Sequence, residues 1–189
     1  MSDIAVRPAT VGDAEAIARL HVAAWRDTYR ALAPVEAFRK LDEAHRFGRW
    51  TAMLSAPNPQ QAVLLATRRD RLVGIGAAGA PCEAAFGDRG EIKSLYVDPD
   101  SKRQGIGRRL LAALAEHLAR RHYRGAALGV VAGNEAAIGF YQSLGGRVAG
   151  HYTDPGPIWR SDNIVLLWDD LMPLIHPAPK RPSSQTEDR

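Results

Sequence analysis

The 189 residues carry 25 Lys and Arg against 21 Asp and Glu, a formal charge of +4, with 46% hydrophobic and 24% charged residues. That is the balance of a soluble globular protein of one domain. A single cysteine, Cys82, excludes an intrachain disulfide, and no window reaches the ~18 apolar residues of a membrane span.

The basic balance, with a pI near 9.5, fits an anionic ligand. Nucleic acid is disfavoured, because there is no long Lys/Arg block and no aromatic-rich basic strand. No CxxC or HExxH spacing suggests a metal site. The N-terminus, MSDIAVRPAT, lacks a basic region followed by an apolar run, so a cytoplasmic enzyme domain is expected.

Residues 4–7 read as a short strand ended by Pro8. Thr10 and Asp13 are candidate caps for a helix over residues 14–30, where Ile17, Leu20, His21, Ala24 and Trp25 recur at helical spacing. Trp25 and Tyr29 lie one turn apart and share a face, for core packing or for an acceptor. Pro34 opens a second helix expected over residues 35–54, and the prolines at 57 and 59 break the chain. Residues 62–67 and 72–80 make a hairpin across a tight turn at 69–71. Its second strand contains Gly74, Gly76 and Gly79 in GxGxxG spacing. A dinucleotide fingerprint needs those glycines to open a helix, and Pro81, Gly87 and Gly90 prevent one. The glycines are therefore expected in a strand with thin side chains.

The most informative stretch follows, residues 91–111. Ile92, Leu95, Tyr96 and Val97 read as a buried strand, which Asp98-Pro99-Asp100 stops. A basic, glycine-bearing turn comes next: Lys102, Arg103, Gln104, Gly105, Ile106, Gly107, Arg108. Leu110, Leu111, Leu114 and Leu118 then recur at helical spacing. Glycines let backbone N–H groups approach a ligand, and a helix N-terminus presents unpartnered N–H groups with partial positive charge. Such a turn suits a phosphate or pyrophosphate.

Residues 126–132 form another apolar strand, Asn134 precedes a helix over 136–144, and Gly145-Gly146 ends it. Strands at 148–153 and 164–168 flank an exposed loop. The tail, residues 174–189, is expected to be disordered, leaving 1–173 as the domain. This order implies an α/β (α+β) sandwich: a mixed, mostly antiparallel sheet of six to seven strands covered by about four helices.

The segment Lys102-Arg103-Gln104-Gly105-Ile106-Gly107 resembles the Gln/Arg-x-x-Gly-x-Gly/Ala signature of the GNAT superfamily of acyl-CoA-dependent N-acetyltransferases. The preceding SLYVDPD and the later NEAAIGFYQSLGG, residues 134–146, resemble the family's strand and its Asn…Phe-Tyr…Gly helix. Lys102 departs from Gln or Arg and loses a planar, multi-donor side chain, and Gly146 stands where the family more often has Phe. The resemblance implies acetyl-CoA as donor. Its pantetheine arm would bond backbone groups of Leu95, Tyr96 and Val97, and its pyrophosphate the amides from Arg103 to Arg108. Asn134 matches a cofactor-contacting asparagine, and a simple helix cap is the other role open to it.

Acetyl transfer to an alkylammonium of pKa ~10.4 must first remove a proton, because roughly one molecule in two thousand is neutral at pH 7. Glu91 matches a position where some family members carry a catalytic glutamate, though a carboxylate of pKa ~4.3 needs burial or a relaying water to serve as base. A solvated strand-end glutamate is the plain alternative. Tyr141 matches the phenol that protonates the departing thiolate, and packing beside Phe140 is its alternative role. The Val97 N–H is the candidate for the oxyanion. His21 is expected in the core and Cys82 as an inert thiol; no GxSxG or GxxxxGK[ST] motif offers another chemistry.

These residues imply an N-acetyltransferase acting by direct attack in a ternary complex, with a small-molecule amine as acceptor. The first two helices and the loop over residues 154–160 would then form a lid. Protein N-terminal or lysine acetylation, and a non-catalytic acyl-CoA-binding regulatory domain, are the alternatives. A homodimer stays open.

Overall fold

The computed structural model describes residues 3–56 and 58–176. Strands β1 (Ile4–Pro8), β2 (Ala62–Arg68), β3 (Arg71–Gly79), β4 (Gly90–Val97), β5 (Ala126–Val131), β6 (Arg147–Asp154) and β7 (Ser161–Trp168) make one sheet. Their order is β1-β2-β3-β4-β5-β7-β6, and every neighbouring pair is antiparallel except β4 and β5. The mixed, mostly antiparallel sheet expected from the sequence is present.

The β2–β3 hairpin turns on Arg69 (φ 47°) and Asp70 (φ 66°), the paired left-handed residues of a two-residue loop whose twist matches the strands. On the other side of β3, the register with β4 passes from Ala77↔Ser94 to Ala78↔Ile92, so Lys93 is an extra residue bulged out of β4. A bulge bends its strand and adds twist. Accordingly β4 pairs with β5 only at Gly90↔Ala126 and Glu91↔Ala127, and the two strands then part. That split opens the sheet in its middle.

Among the described residues six α-helices surround the sheet: α1 (Ala14–Tyr29), α2 (Val35–Lys40), α3 (Glu43–Ser55), α4 (Ile106–Arg120), α5 (Glu135–Gln142) and α6 (Met172–Ile175). About four were expected. The helix expected over residues 35–54 is two, because Leu41 leaves helical geometry (φ −90°, ψ 54°) and Asp42 starts a new helix by accepting from the His45 N–H at 2.8 Å. The short α6 was not anticipated; its Leu174 is buried beside Leu118 and Tyr141. Residues 177–189, the rest of the expected tail, lie outside the described residues.

One face of the sheet packs Ile17, Leu20 and Ala24 of α1 and Trp50 of α3 against Leu65, Ile75 and Ala77. The other face carries α4, whose Leu111, Leu114 and Leu118 are fully buried with Ile138 and Tyr141 of α5. Each such leucine stabilises the fold by about 1.5–3 kcal/mol. The GxGxxG glycines find their reason here. A Cβ at Gly74 would come within 2.9 Å of Ile106 and Leu110, and one at Gly76 within 2.8 Å of Leu114. They are a track that lets α4 lie directly on β3. At Gly146, a Cβ would meet the Trp168 ring at 2.7 Å, so glycine there leaves room for the indole. Among the described residues no helix is long and apolar enough to cross a membrane.

Candidate active site

Past Val97, the Asp98 carboxylate accepts from the Ser101 hydroxyl at 3.1 Å and from Arg71 at 2.7 Å, fixing the start of the basic turn. Arg103 (φ 63°) and Gly105 (φ 80°) reverse the chain so that α4 starts at Ile106. Gly105 is the N-cap and supplies no side-chain cap, and a Cβ there would meet nothing within 4 Å. No side chain of the N-cap therefore occupies the first-turn N–H groups of α4, the arrangement that an anion site needs. Lys102 does not stand over them alone: its ammonium pairs with Asp27 of α1 at 2.6 Å. The Gln104 side-chain oxygen accepts from Arg68. Gly107 lets Phe140 of α5 approach, 3.4 Å from where its Cβ would be. The side chains of Lys102 and Gln104 around this turn are thus tied to Asp27 and Arg68.

On the opposite face, beside the β4–β5 split, lies a cleft of about 310 Å³. Trp25 and Tyr29 line it, with ring centroids 5.3 Å apart, and Trp159 of the β6–β7 connection crosses both at 5.9 and 5.5 Å. The helices and the loop expected to form a lid do wall this space. Glu91 faces it too, with only 8% of its surface exposed. Its Oε2 accepts from the Cys82 N–H at 2.9 Å and from Lys93 at 2.6 Å. It is therefore a held carboxylate rather than a solvated strand end. Burial, then the hydrogen bond to Glu91, pushes the Cys82 thiol up to about 11. A thiol held protonated is a poor nucleophile.

Tyr141 is buried, its ring packed edge-on against Phe140 at 5.1 Å and Trp168 at 6.0 Å. Burial raises its pKa and the Tyr96 phenol adds to the rise. Tyr29 is raised by burial, then by Tyr96 and Tyr141, with the Asn134 side chain easing the shift. Three phenols from α1, β4 and α5 therefore gather with Asn134. The Asn134 side chain also caps α5, accepting from Ala137 N–H at 3.2 Å. Leu95, Tyr96 and Val97 lie on the partly open edge of β4 beyond the split. Glu91 shares the cleft with Tyr29 and Tyr96 and acts electrostatically on Cys82 and Tyr152.

Sequence reasoning missed Arg46, Arg49, Tyr152 and Trp159, all of which line the cleft. Arg46 was detectable: it precedes the apolar Trp50 by one helical turn, on the buried face of α3, where a charge is out of place. His21, expected as a satisfied core residue, has a buried Nε2 without a partner.

A family model described as the acetyltransferase (GNAT) family matches residues 17–146. The chain belongs to that family. GNAT enzymes move an acetyl group from acetyl-CoA to an amine. This GNAT chain is similar to the uncharacterized N-acetyltransferase YuaI of Bacillus subtilis, 28% identical over 173 residues that cover 90% of this chain and 96% of YuaI. It is 45% identical over 58 residues to the ribosomal protein bS18-alanine N-acetyltransferase of Escherichia coli, covering 31% of this chain and 39% of that enzyme. Its fold matches the PaiA N-acetyltransferase of Thermoplasma acidophilum in complex with coenzyme A, with TM-score 0.67, 19% identity, and coverage of 88% of this chain and 98% of the other.

Proposed function

We infer that the protein acetylates the primary amine of a small molecule, using acetyl-CoA, by direct attack in a ternary complex. The observation that carries this reading is the parting of β4 from β5 after Glu91, between an uncapped helix N-terminus and a walled cleft. Such a split leaves β4 backbone groups of Leu95, Tyr96 and Val97 able to bond the pantetheine arm. The N–H groups from Arg103 through Arg108, with Lys102 beside them, would bond the pyrophosphate. The Val97 N–H would meet the oxyanion.

Glu91 is the proposed base. Its burial and its place in the cleft support that role, and Lys93 and the Cys82 N–H hold it in one orientation. Tyr141 is the proposed acid. Its raised pKa keeps the phenol protonated at working pH. Full transfer from such a phenol to a thiolate of pKa ~8.5 is uphill, so Tyr141 would mainly donate a hydrogen bond to the departing sulfur. The raised pKa of Cys82 argues against an acyl-enzyme route through it.

The partial match to the bS18-alanine enzyme favours a second reading, a protein N-terminus as acceptor. Thiol release from acetyl-CoA, measured with amino acids, polyamines, aminoglycosides and alanine-ended peptides, tests both. Release with small amines and none with peptides is the expected result; release with peptides alone would replace it with the second reading. No release with any amine would leave a coenzyme A-binding domain.

A further inference from the structure

Arg46 is 8% exposed, and its Nε has no hydrogen-bond partner among the described residues. It takes part in no ion pair among them either. The contact it has is a distant one, its guanidinium 6.0 Å from the centre of the Trp25 ring, the limit of a useful cation–π interaction. A buried guanidinium without a carboxylate is costly, and arginine is seldom buried unless paired. Tyr96 and Tyr29 ease that cost, but no carboxylate among the described residues pairs with the guanidinium. Arg49, one turn further along α3, adds a second positive charge to the same cleft, and the His45 side chain beside them has a buried Nε2 that is likewise unpartnered. Burial pushes the Arg46 pKa down and Arg49 adds to the fall, against the opposing pull of Tyr96 and Tyr29.

The missing partner is therefore an anion that arrives with a ligand. It is not the pyrophosphate, because none of residues 102–108 lines this cleft. The same cleft also carries Glu83, Glu91 and Asp154, with Lys93 as a local cation, so it presents acid as well as base. A ligand with one positive and one negative group fits both sets of charges. A polyamine would set a second cation against Arg46, and a protein N-terminus has no free carboxylate beside its amine.

We propose that the acceptor is an amino carboxylate, its carboxylate held by the Arg46 guanidinium, whose Nε is unpartnered among the described residues, while its amine is directed to Glu91. This rests on the acetyltransferase reading above. A planar carboxylate accepts two parallel N–H bonds from one guanidinium, which lysine could not reproduce. Arg49 and His45 would draw the same group in.

The test compares matched acceptors, free amino acids and their carboxamides, by thiol release from acetyl-CoA, in parallel with coenzyme A binding by calorimetry. The expected result is a kcat/KM for the amino acid about a hundredfold or more above that of its carboxamide, because a buried donor left unpaired discriminates strongly. The carboxamide has the less basic amine, so chemistry alone would favour it. Arg46→Gln should bring the ratio at least ~30-fold closer to one, and Arg46→Lys should recover only part of it; melting curves check that both variants fold. Should Arg46→Gln fail to fold, the wild-type ratio still decides. Equal use of the pair, or preference for carboxamides or polyamines, overturns the proposal and leaves the acetyltransferase reading standing. Failure to bind coenzyme A would overturn that reading itself, and the proposal with it.

Discussion

The indole Nε1 of Trp50 donates to the Nδ1 of His21 across 3.1 Å, joining α3 to α1 in a buried contact. The bond requires His21 Nδ1 to be an acceptor, so the ring must be neutral with its proton on Nε2. Tyr96 stacks on the other side, with centroids 4.3 Å apart. Burial, then the charges of Arg46 and Arg49, push the His21 pKa down to about 2. Protonation would break the indole bond and add a third cation to a region that already holds two.

The first prediction is a pH-dependent stability. Unfolded His21 takes up a proton near pH 6.5, whereas the folded form stays neutral down to about 2, so in that window the unfolded state binds more protons. Stability therefore falls as the pH drops below 6.5, with a slope approaching ~1.4 kcal/mol per pH unit from this residue. His117 is lowered as well and adds a loss of the same sign. Asp13, whose carboxyl the Arg7 hydrogen bond holds well below its usual range, adds its own loss only below about pH 4. Urea unfolding at pH 7, 6 and 5 measures the slope, and His21→Asn isolates the His21 share. Parallel slopes for the two proteins would contradict the assignment.

Gly105 yields a second prediction. Its φ of 80° is left-handed, and the surrounding space is open, so Ala would be penalised by backbone conformation and not by collision. Gly105→Ala should cost about 1–2 kcal/mol, a drop in Tm of a few degrees. It should also raise the KM for acetyl-CoA, because the N–H groups that follow change direction. Gly105→Asn should lose less, since Asn tolerates this region. An Ala variant matching wild type in both Tm and KM would show that the turn does not depend on this geometry.

What could be read from the chain was local. The hairpin announced itself by two apolar runs around a turn, and the turn into α4 by two glycines ahead of a leucine-spaced helix. The break at Leu41 was hidden because the apolar spacing continues through Phe38, Leu41, Phe47 and Trp50. The bulge at Lys93 left no mark, since no glycine or proline announces it, and the split between β4 and β5 that follows from it was equally invisible. The cleft draws on α1, α3, β4, β5 and the β6–β7 connection. Residues so far apart in the chain carry no common spacing, which is why Trp25 and Tyr29 could be named on a shared face while Arg46 and Trp159 went unnoticed.

Glu91→Gln supplies a third prediction. The amide keeps an oxygen that can accept from the Cys82 N–H, so the loop at residues 80–83 should hold its place and the melting temperature should change little. Lys93 loses its ion-pair partner, at 27% side-chain exposure, and water can take over. The proton-accepting capacity is gone. Expected is a fall in kcat/KM of about 10²-fold at neutral pH. The loss should shrink as the pH rises, because amines then arrive already neutral. A pH profile superimposable on that of wild type would remove Glu91 from the reaction.

Tyr141→Phe supplies the fourth. Tyr141 is buried between Phe140 and Trp168, and among the described residues no side-chain hydrogen bond holds its hydroxyl. Loss of the hydroxyl should therefore leave packing and stability nearly unchanged. Because the phenol is raised by burial, it stays a donor throughout the working range and should produce no pH-dependent limb of its own. The departing sulfur is already a fair leaving group at pKa ~8.5, so the acid's share is modest: kcat should fall about 10- to 100-fold, with acetyl-CoA affinity held within a factor of about two. Single-turnover measurement separates the chemical step from product release. If the chemical rate of the Phe variant equals that of wild type, Tyr141 is a packing residue, and the donor to the sulfur must be sought among Tyr96, Tyr29 or water.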